Sequence, residues 1–433
     1  MLSFFKKNDL TILLSLYFFM MPIGKTLWYP LLVMATIGIV LFFRELKGGK
    51  GIEAGTKWLI FAGLCVWIPA VISFIGTIDF ERTMVFVGTY PLFFLAGYFL
   101  YKRLSNGYNL IPSVIVISLI VVFWGALAIW QYIDPQNPFG PGGSHNQGLH
   151  TRDNQFVDGG LMMGVILGSL FGFLTLSLWS QGWYKSSIVL GVFIIFLCFI
   201  SGTRSSWLSI LVTLAIFALT PFFRGYRFNQ KSILGSVLLV GTVVFTGNSL
   251  YTLPGLSTKF DQTFSFLKNP NMETLDRSLS GRINIWSDAV KLGAEYPLTG
   301  TGVNNFRYAH PLVAEPGNYW IHGFSKESNG KHPLKGATHT HQMILEAWSG
   351  AGVWGVLGLV VLFVFLIRTT LKTMSTGSLL ALGGLIAFWA GFFPFNTHNN
   401  FYGGWMNAWF WVWLGISAGC IFIRNDTAEA EKP

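Results

Sequence analysis

The sequence predicts an all-α polytopic membrane protein of about twelve transmembrane helices, with one large external loop domain that itself contains helices. Three observations predict it. Charged residues make up 11% of the chain and hydrophobic residues 52%, whereas about a quarter of a soluble domain is charged. Apolar runs recur from Leu10 almost to Arg424, many near the roughly 20 residues that a bilayer span requires. Lys and Arg also alternate between connections in the way that orients such spans.

Taken in order, Lys6 and Lys7 precede the first run as in a signal peptide, but no small-residue cleavage site follows. Met21, Pro22 and Lys25 lead straight into the next run, so an uncleaved first span is expected. Spans are expected at about 8–24, 27–43, 58–76, 84–101, 110–132, 159–180, 186–201, 205–221, 232–249, 341–367, 378–396 and 402–423. The seventh and eighth are short, which leaves a tilt or a re-entrant turn at 201–205 open. Cys65, Cys198 and Cys420 fall inside apolar runs, without disulfide or zinc spacing, and read as inert buried thiols.

One set of connections carries Lys6, Lys7, Arg44, Lys47, Lys50, Lys57, Lys102, Arg103, Lys185, Arg224, Arg227, Lys231, Arg368, Lys372 and Arg424. The opposite short connections hold Lys25, Arg82, Arg152 and Arg204. This asymmetry places both termini in the cytoplasm. It also accounts for most of the net charge of +10, so nucleic-acid binding is not expected. Two external stretches exceed a simple turn: 134–158, rich in Gly, Pro, Asn and His, and 251–340. The expected organisation is 1–249 for the first nine spans, 250–340 for the loop domain, 341–424 for the last three spans, and 425–433 for a polar cytoplasmic tail. Within the loop, 280–292 has Ile283, Trp286 and Val290 at helical spacing, with Arg282, Asp288 and Lys291 elsewhere on its surface.

Three stretches can carry chemistry. In "ATHTHQMILEAWSGAGVWG", Thr338 or Thr340 is suited to cap a helix, placing His341 in its first turn, where the helix dipole keeps imidazole neutral and able to accept a proton. His339 then points elsewhere, and Gly350, Gly352 and Gly355 admit another helix at close range. Both histidines also fit a solvated interface, and the stretch alone does not decide. In "SGRINIWSDAVKLGAEYPLTGTGVNNF", Arg282 precedes Trp286, Pro297, Gly300 and Gly302. Its guanidinium suits a phosphate, or equally a surface pair with Asp288 or Glu295. In "SGTRSSWLS", Arg204 is the sole charge in a turn between two spans, where a charge is either functional or snorkels to the interface.

In this order and on this topology, the three stretches resemble the O-antigen ligase family, whose superfamily also contains the O-antigen polymerases. The family's His, small polar residue, Leu, Gly and Gly pattern is met by His341, Gln342, Leu345, Gly352 and Gly355. Its Arg, Trp, Pro, Gly, Gly run is met from Arg282 to Gly302, and its Ser-Gly-Thr-Arg turn by 201–204. The chain departs from the family at Gly350, where an acidic residue is common. The resemblance runs from about Ile111 onward and implies glycosyl transfer at the periplasmic face of a bacterial inner membrane. The implied donor is a polysaccharide on undecaprenyl diphosphate, and the implied acceptor a sugar hydroxyl of the lipid A core. Membrane lipid surrounds both, and no cofactor or metal is implied. Arg204 and Arg282 would hold the diphosphate, and His341 would take the acceptor proton. Arg152 would add a phosphate contact, while His339, Arg307 and Lys335 would line the acceptor cleft.

The nearest rival is the polymerase of the same superfamily, which needs the same clamp and base. A metal-dependent lipid-linked oligosaccharyltransferase would use Asp79 and Glu81 of "TIDFERT" as hard-oxygen ligands, although a solvated turn explains them as well. A transporter should carry ionisable groups at mid-membrane, and the expected spans have none near their centres.

Overall fold

The structure, a computed structural model, describes residues 2–23, 26–49, 51–134, 160–225, 256–318, 320–321, 334–396 and 400–423. Among these the chain forms α1 (Leu2–Met20), α2 (Trp28–Lys47), α3 (Ala54–Ile72), α4 (Phe80–Ser105), α5 (Ile111–Ile133), α6 (Gly160–Ser180), α7 (Tyr184–Ile200) and α8 (Arg204–Phe223). The segment between the eighth and the next long helix follows with α9 (Leu256–Lys268), α10 (Met272–Ser278), α11 (Ile283–Glu295) and α12 (Phe306–Ala309). The bundle resumes with α13 (Met343–Thr376), α14 (Leu379–Phe392) and α15 (Gly404–Ile421). Among the described residues six helices are long and apolar enough to cross a membrane: α2, α3 with its 3-10 extension to Gly76, α4, α5 up to Trp130, α8 and α13. The remaining expected spans coincide with shorter helices, apart from 232–249, which lies outside the described residues.

The core follows from the apolar composition of these helices. α15 is its central post, with every residue from Met406 to Cys420 buried. It packs mainly on α4 and on α14, which in turn lies along α6. Trp409, Trp411 and Trp413 of α15 are fully buried and meet Phe18, Tyr90, Phe94 and Phe173 at aromatic edges. Large flat side chains fill the gaps between helices that have little polar surface to share.

A separate small core lies under α11 and α12: Ile285, Ala289 and Leu292 of α11 with Phe306, Ala309 and Ala337. This corrects the expected face of the amphipathic segment. Ile285, Asp288, Ala289 and Leu292 are its buried side, while Val290 is 52% exposed. The helix also starts later than expected, because Ser280 and Gly281 both adopt positive φ and Asp276 Oδ1 receives the amide of Ile283.

Candidate functional site

The segment carrying the histidines ends before its helix begins. Gln342, not a threonine, is the N-cap of α13, its Oε1 accepting from the amide of Leu345 at 2.6 Å. Thr340 is occupied otherwise: its amide and hydroxyl both donate to Glu346 Oε2, at 2.9 and 3.0 Å. His341 therefore precedes the helix instead of sitting in its first turn, with a left-handed φ of 58°, a conformation that His tolerates better than branched residues. His339 does not point elsewhere. Its ring centroid lies 4.0 Å from that of His341, and its Nδ1 is 2.8 Å from the hydroxyl of Thr338. His339 is buried and His341 half-buried.

Neighbouring elements fix this segment at several points. Trp286 of α11 donates from Nε1 to the carbonyl of Thr340 at 3.0 Å. The amide of Ala337 donates to Nδ1 of His310 at 3.1 Å, and the amide of Gly336 to the carbonyl of Arg307 at 2.7 Å. Gln342 Nε2 donates to the carbonyl of Pro394 at 2.9 Å. Two residues beyond, Asn396 Nδ2 donates to the carbonyl of Ser205 at 3.2 Å. The short turn after α14 thus ties the start of α13 to the start of α8.

Gly350 and Gly352 receive a turn, not another helix, while Gly355 packs within its own helix. α13 breaks at Gly352 (φ 60°, ψ −151°), a region essentially open only to glycine. The break frees the carbonyl of Ser349, which accepts from the amide and hydroxyl of Thr301 at 2.9 and 3.0 Å. It also frees the amide of Val353, which donates to the carbonyl of Pro297 at 2.8 Å. A Cβ on Gly352 would lie 2.6 Å from backbone atoms of Pro297 and Leu298, and one on Gly300 would lie 2.4 Å from the backbone of Gly350. The two glycine runs are the two halves of one contact. The same turn rests on the connection between α3 and α4: Ile78 donates to the carbonyl of Thr301 at 3.0 Å, and Asn305 Nδ2 to Thr77 Oγ1 at 2.8 Å. There Asp79 caps α4, its Oδ1 accepting from the amide of Arg82 at 3.2 Å.

Both arginines stand at helix starts. Arg204 opens α8 and reaches α10 and α9, donating from Nη1 to the carbonyl of Ser278 and, at 3.0 Å, to the hydroxyl of Ser280, and from Nη2 to Gln262 Oε1 at 3.4 Å. Arg282 is the N-cap residue of α11, two positions after that hydroxyl. Burial, reinforced by the nearby positive charge of Arg204, pushes its pKa down to about 10. It stays charged at neutral pH, and among the described residues no carboxylate pairs with it. The alternative partner Asp288 faces inward: its Oδ2 accepts from His310 Nε2 and from Asn318 Nδ2, each at 3.0 Å.

The structure thus joins Arg204, Arg282, His339 and His341 through one set of contacts, with Trp286 one turn after Arg282 holding Thr340. Arg307 and Lys335 are half-exposed and flank the Gly336 contact. Arg152 lies outside the described residues. His310, Asp288 and Glu346 were not foreseen as parts of the site. A signal for Asp288 did exist, since it shares a helix face with Ile285, Ala289 and Leu292. No curated protein matches the chain. The family described as O-Antigen ligase matches residues 189–360, so over the span that contains both arginines and both histidines the chain is similar to that family.

Proposed function

We propose that the chain transfers a glycan from undecaprenyl diphosphate to a sugar hydroxyl of the lipid A core, at the periplasmic face of the inner membrane and without a metal. The observation that carries this reading is the pair of neighbouring arginines with no carboxylate partner among the described residues, linked through Trp286 to two touching imidazoles. In the reaction the bond between the anomeric carbon and the diphosphate oxygen breaks while the acceptor oxygen bonds to that carbon. Diphosphate leaves as an anion, and Arg204 and Arg282 offset its developing charge. The acceptor hydroxyl gives its proton to His341, the more exposed ring. His339 orients the acceptor, with Arg307 and Lys335 along the cleft and Arg152 at the phosphates. Asp79 serves as a helix cap, which favours a metal-independent mechanism over the oligosaccharyltransferase reading. The polymerase reading shares every residue named and differs in its acceptor.

The test is transfer in proteoliposomes from a labelled lipid-linked glycan to lipid A core. His341→Asn suits the left-handed backbone and removes the base, so turnover should fall by about 10² to 10⁴. Label appearing only on donor chains would favour the polymerase, and full activity in His341→Asn would overturn the assigned base. The proposed orientation has both termini in the cytoplasm. It predicts that a cysteine replacing the exposed Leu312 is labelled from outside; labelling only after the inner membrane is permeabilised would reverse the topology.

A further inference from the structure

We propose that the buried His310–Asp288 pair is the positioning unit for the two imidazoles: Asp288 fixes the His310 proton on Nε2, and the bare Nδ1 takes the amide of Ala337. The hydrogen bonds assign this tautomer. Nδ1 lies 3.1 Å from an amide that can only donate, so Nδ1 is the acceptor and Nε2 carries the proton to Asp288 Oδ2 at 3.0 Å. His310 is wholly buried and stacks on Phe306 at 5.1 Å with rings 15° apart, so its ring cannot swing away to adopt another pairing. Asp288 is held in turn by Asn318 Nδ2 at 3.0 Å and by Lys291 at 3.4 Å. Gly336 leaves the room: a Cβ there would lie 2.4 Å from His310 Nδ1.

The consequence is directional. Ala337 is two residues before His339 and four before His341, and the far end of this stretch is held by Trp286 and Glu346. With both ends held, the spacing between the rings and the arginines is set by the fold. Losing the Ala337 bond leaves that end to the neighbouring bond from the Gly336 amide to the carbonyl of Arg307 and loosens the segment. His310 is a positioning residue, because it reaches no reacting atom and acts through the chain it holds. The effect on turnover rests on His341 being the base; the effect on the segment does not.

Two amide replacements separate this role from simple packing. His310→Asn can place an oxygen near the Nδ1 position and keep an acceptor for Ala337. His310→Gln places its amide near Nε2 and leaves Ala337 without one. Hydrogen exchange by mass spectrometry on a peptide spanning 334–341 should be about tenfold faster in His310→Gln than in wild type and near wild type in His310→Asn. Turnover in the proteoliposome assay should fall about 10²-fold in His310→Gln with donor KM within about twofold. Equal exchange in the two variants, or no change in either, overturns the proposal. If exchange behaves as expected while His341→Asn remains active, the positioning role stands and the assigned base fails.

Wild-type protein gives a second test that needs no variant to fold. A proton on Nδ1 abolishes the acceptor, so exchange of 334–341, corrected for its intrinsic pH dependence, should rise relative to peptides of α14 as pH falls. Among the charged groups here, Asp288 faces His310 from α11, Lys291 faces Asp288, Glu315 faces Lys291, and His339 and His341 sit at the far end of the segment. Loss of this step in His310→Asn assigns it to His310, and its persistence there overturns the assignment.

Discussion

Where α2, α3 and α4 meet, Lys102 is buried against two carboxylates, Glu45 at 3.1 Å and Glu53 at 2.7 Å. Tyr98 and Tyr101 donate to the same two groups at 2.6 and 2.8 Å, and nearby Arg103 meets Asp9 at 2.5 Å. At the opposite end of the bundle, Arg204 has only neutral oxygens and Arg282 has no carboxylate among the described residues. The first cluster neutralises its cations within the fold, as buried ions require. Among the described residues the second leaves two neighbouring cations without a balancing charge, which in the proposed reading the donor diphosphate supplies. The contrast is what the proposed function predicts: a cluster awaiting an anion at one end and a self-balanced one at the other.

The comparison breaks most sharply at Arg282. Replacing it with Met should lower turnover by about 10³-fold or more, as for an arginine that clamps a departing phosphate, yet leave the melting temperature unchanged or higher because repulsion of Arg204 is gone. A large loss of stability would mean that Arg282 is balanced within the fold. Replacing it with Lys keeps the charge but loses the two-pronged hydrogen bond, and near-normal turnover there would move the diphosphate elsewhere. Lys102→Met should do the reverse, costing about 3 to 4 kcal/mol by leaving two buried carboxylates unpaired, while activity per folded molecule is kept.

Gly352→Ala probes the link between the regions. It forces a side chain into a glycine-only conformation and against the 297–298 backbone, so a loss of about 2 kcal/mol is expected, with turnover falling further than folded protein does. The smallest effect concerns acid. Burial holds the His310 pKa below its ordinary value of 6.5 despite Asp288. Its stabilising contribution is complete above 6.5 and is lost as pH falls through the lowered value, because the unfolded chain takes up the proton first. The melting temperature of wild type should therefore drop more steeply below that pH than that of His310→Asn.

Much of the architecture was legible because a bilayer demands long apolar runs, and the described helices coincide with the expected ones to within a few residues at most ends. The arginines and histidines were legible as motifs. Their local geometry was not. Thr340 is a sound capping residue by type, but Glu346, one helical turn in, claims it, and Gln342 takes its place. The glycines at 350, 352 and 355 suggested a helix partner, since spacing cannot reveal that a turn fifty residues earlier supplies the missing hydrogen bonds. His310 was silent for a similar reason: its partners, Asp288 and Ala337, lie 22 and 27 residues away on separate elements.

The break at Gly352 also has a mechanical meaning. Before the break α13 is bonded to Thr301 through Ser349 and to Val290 through Trp348, just past it to Pro297 through Val353, and the rest of the helix runs beside α3. A long span tilts when bilayer thickness changes, and an unbroken helix would carry that tilt to its tip. Interrupted here, a span that leans need not carry the imidazoles with it, which in the proposed function would insulate the chemistry from the thickness of the lipid.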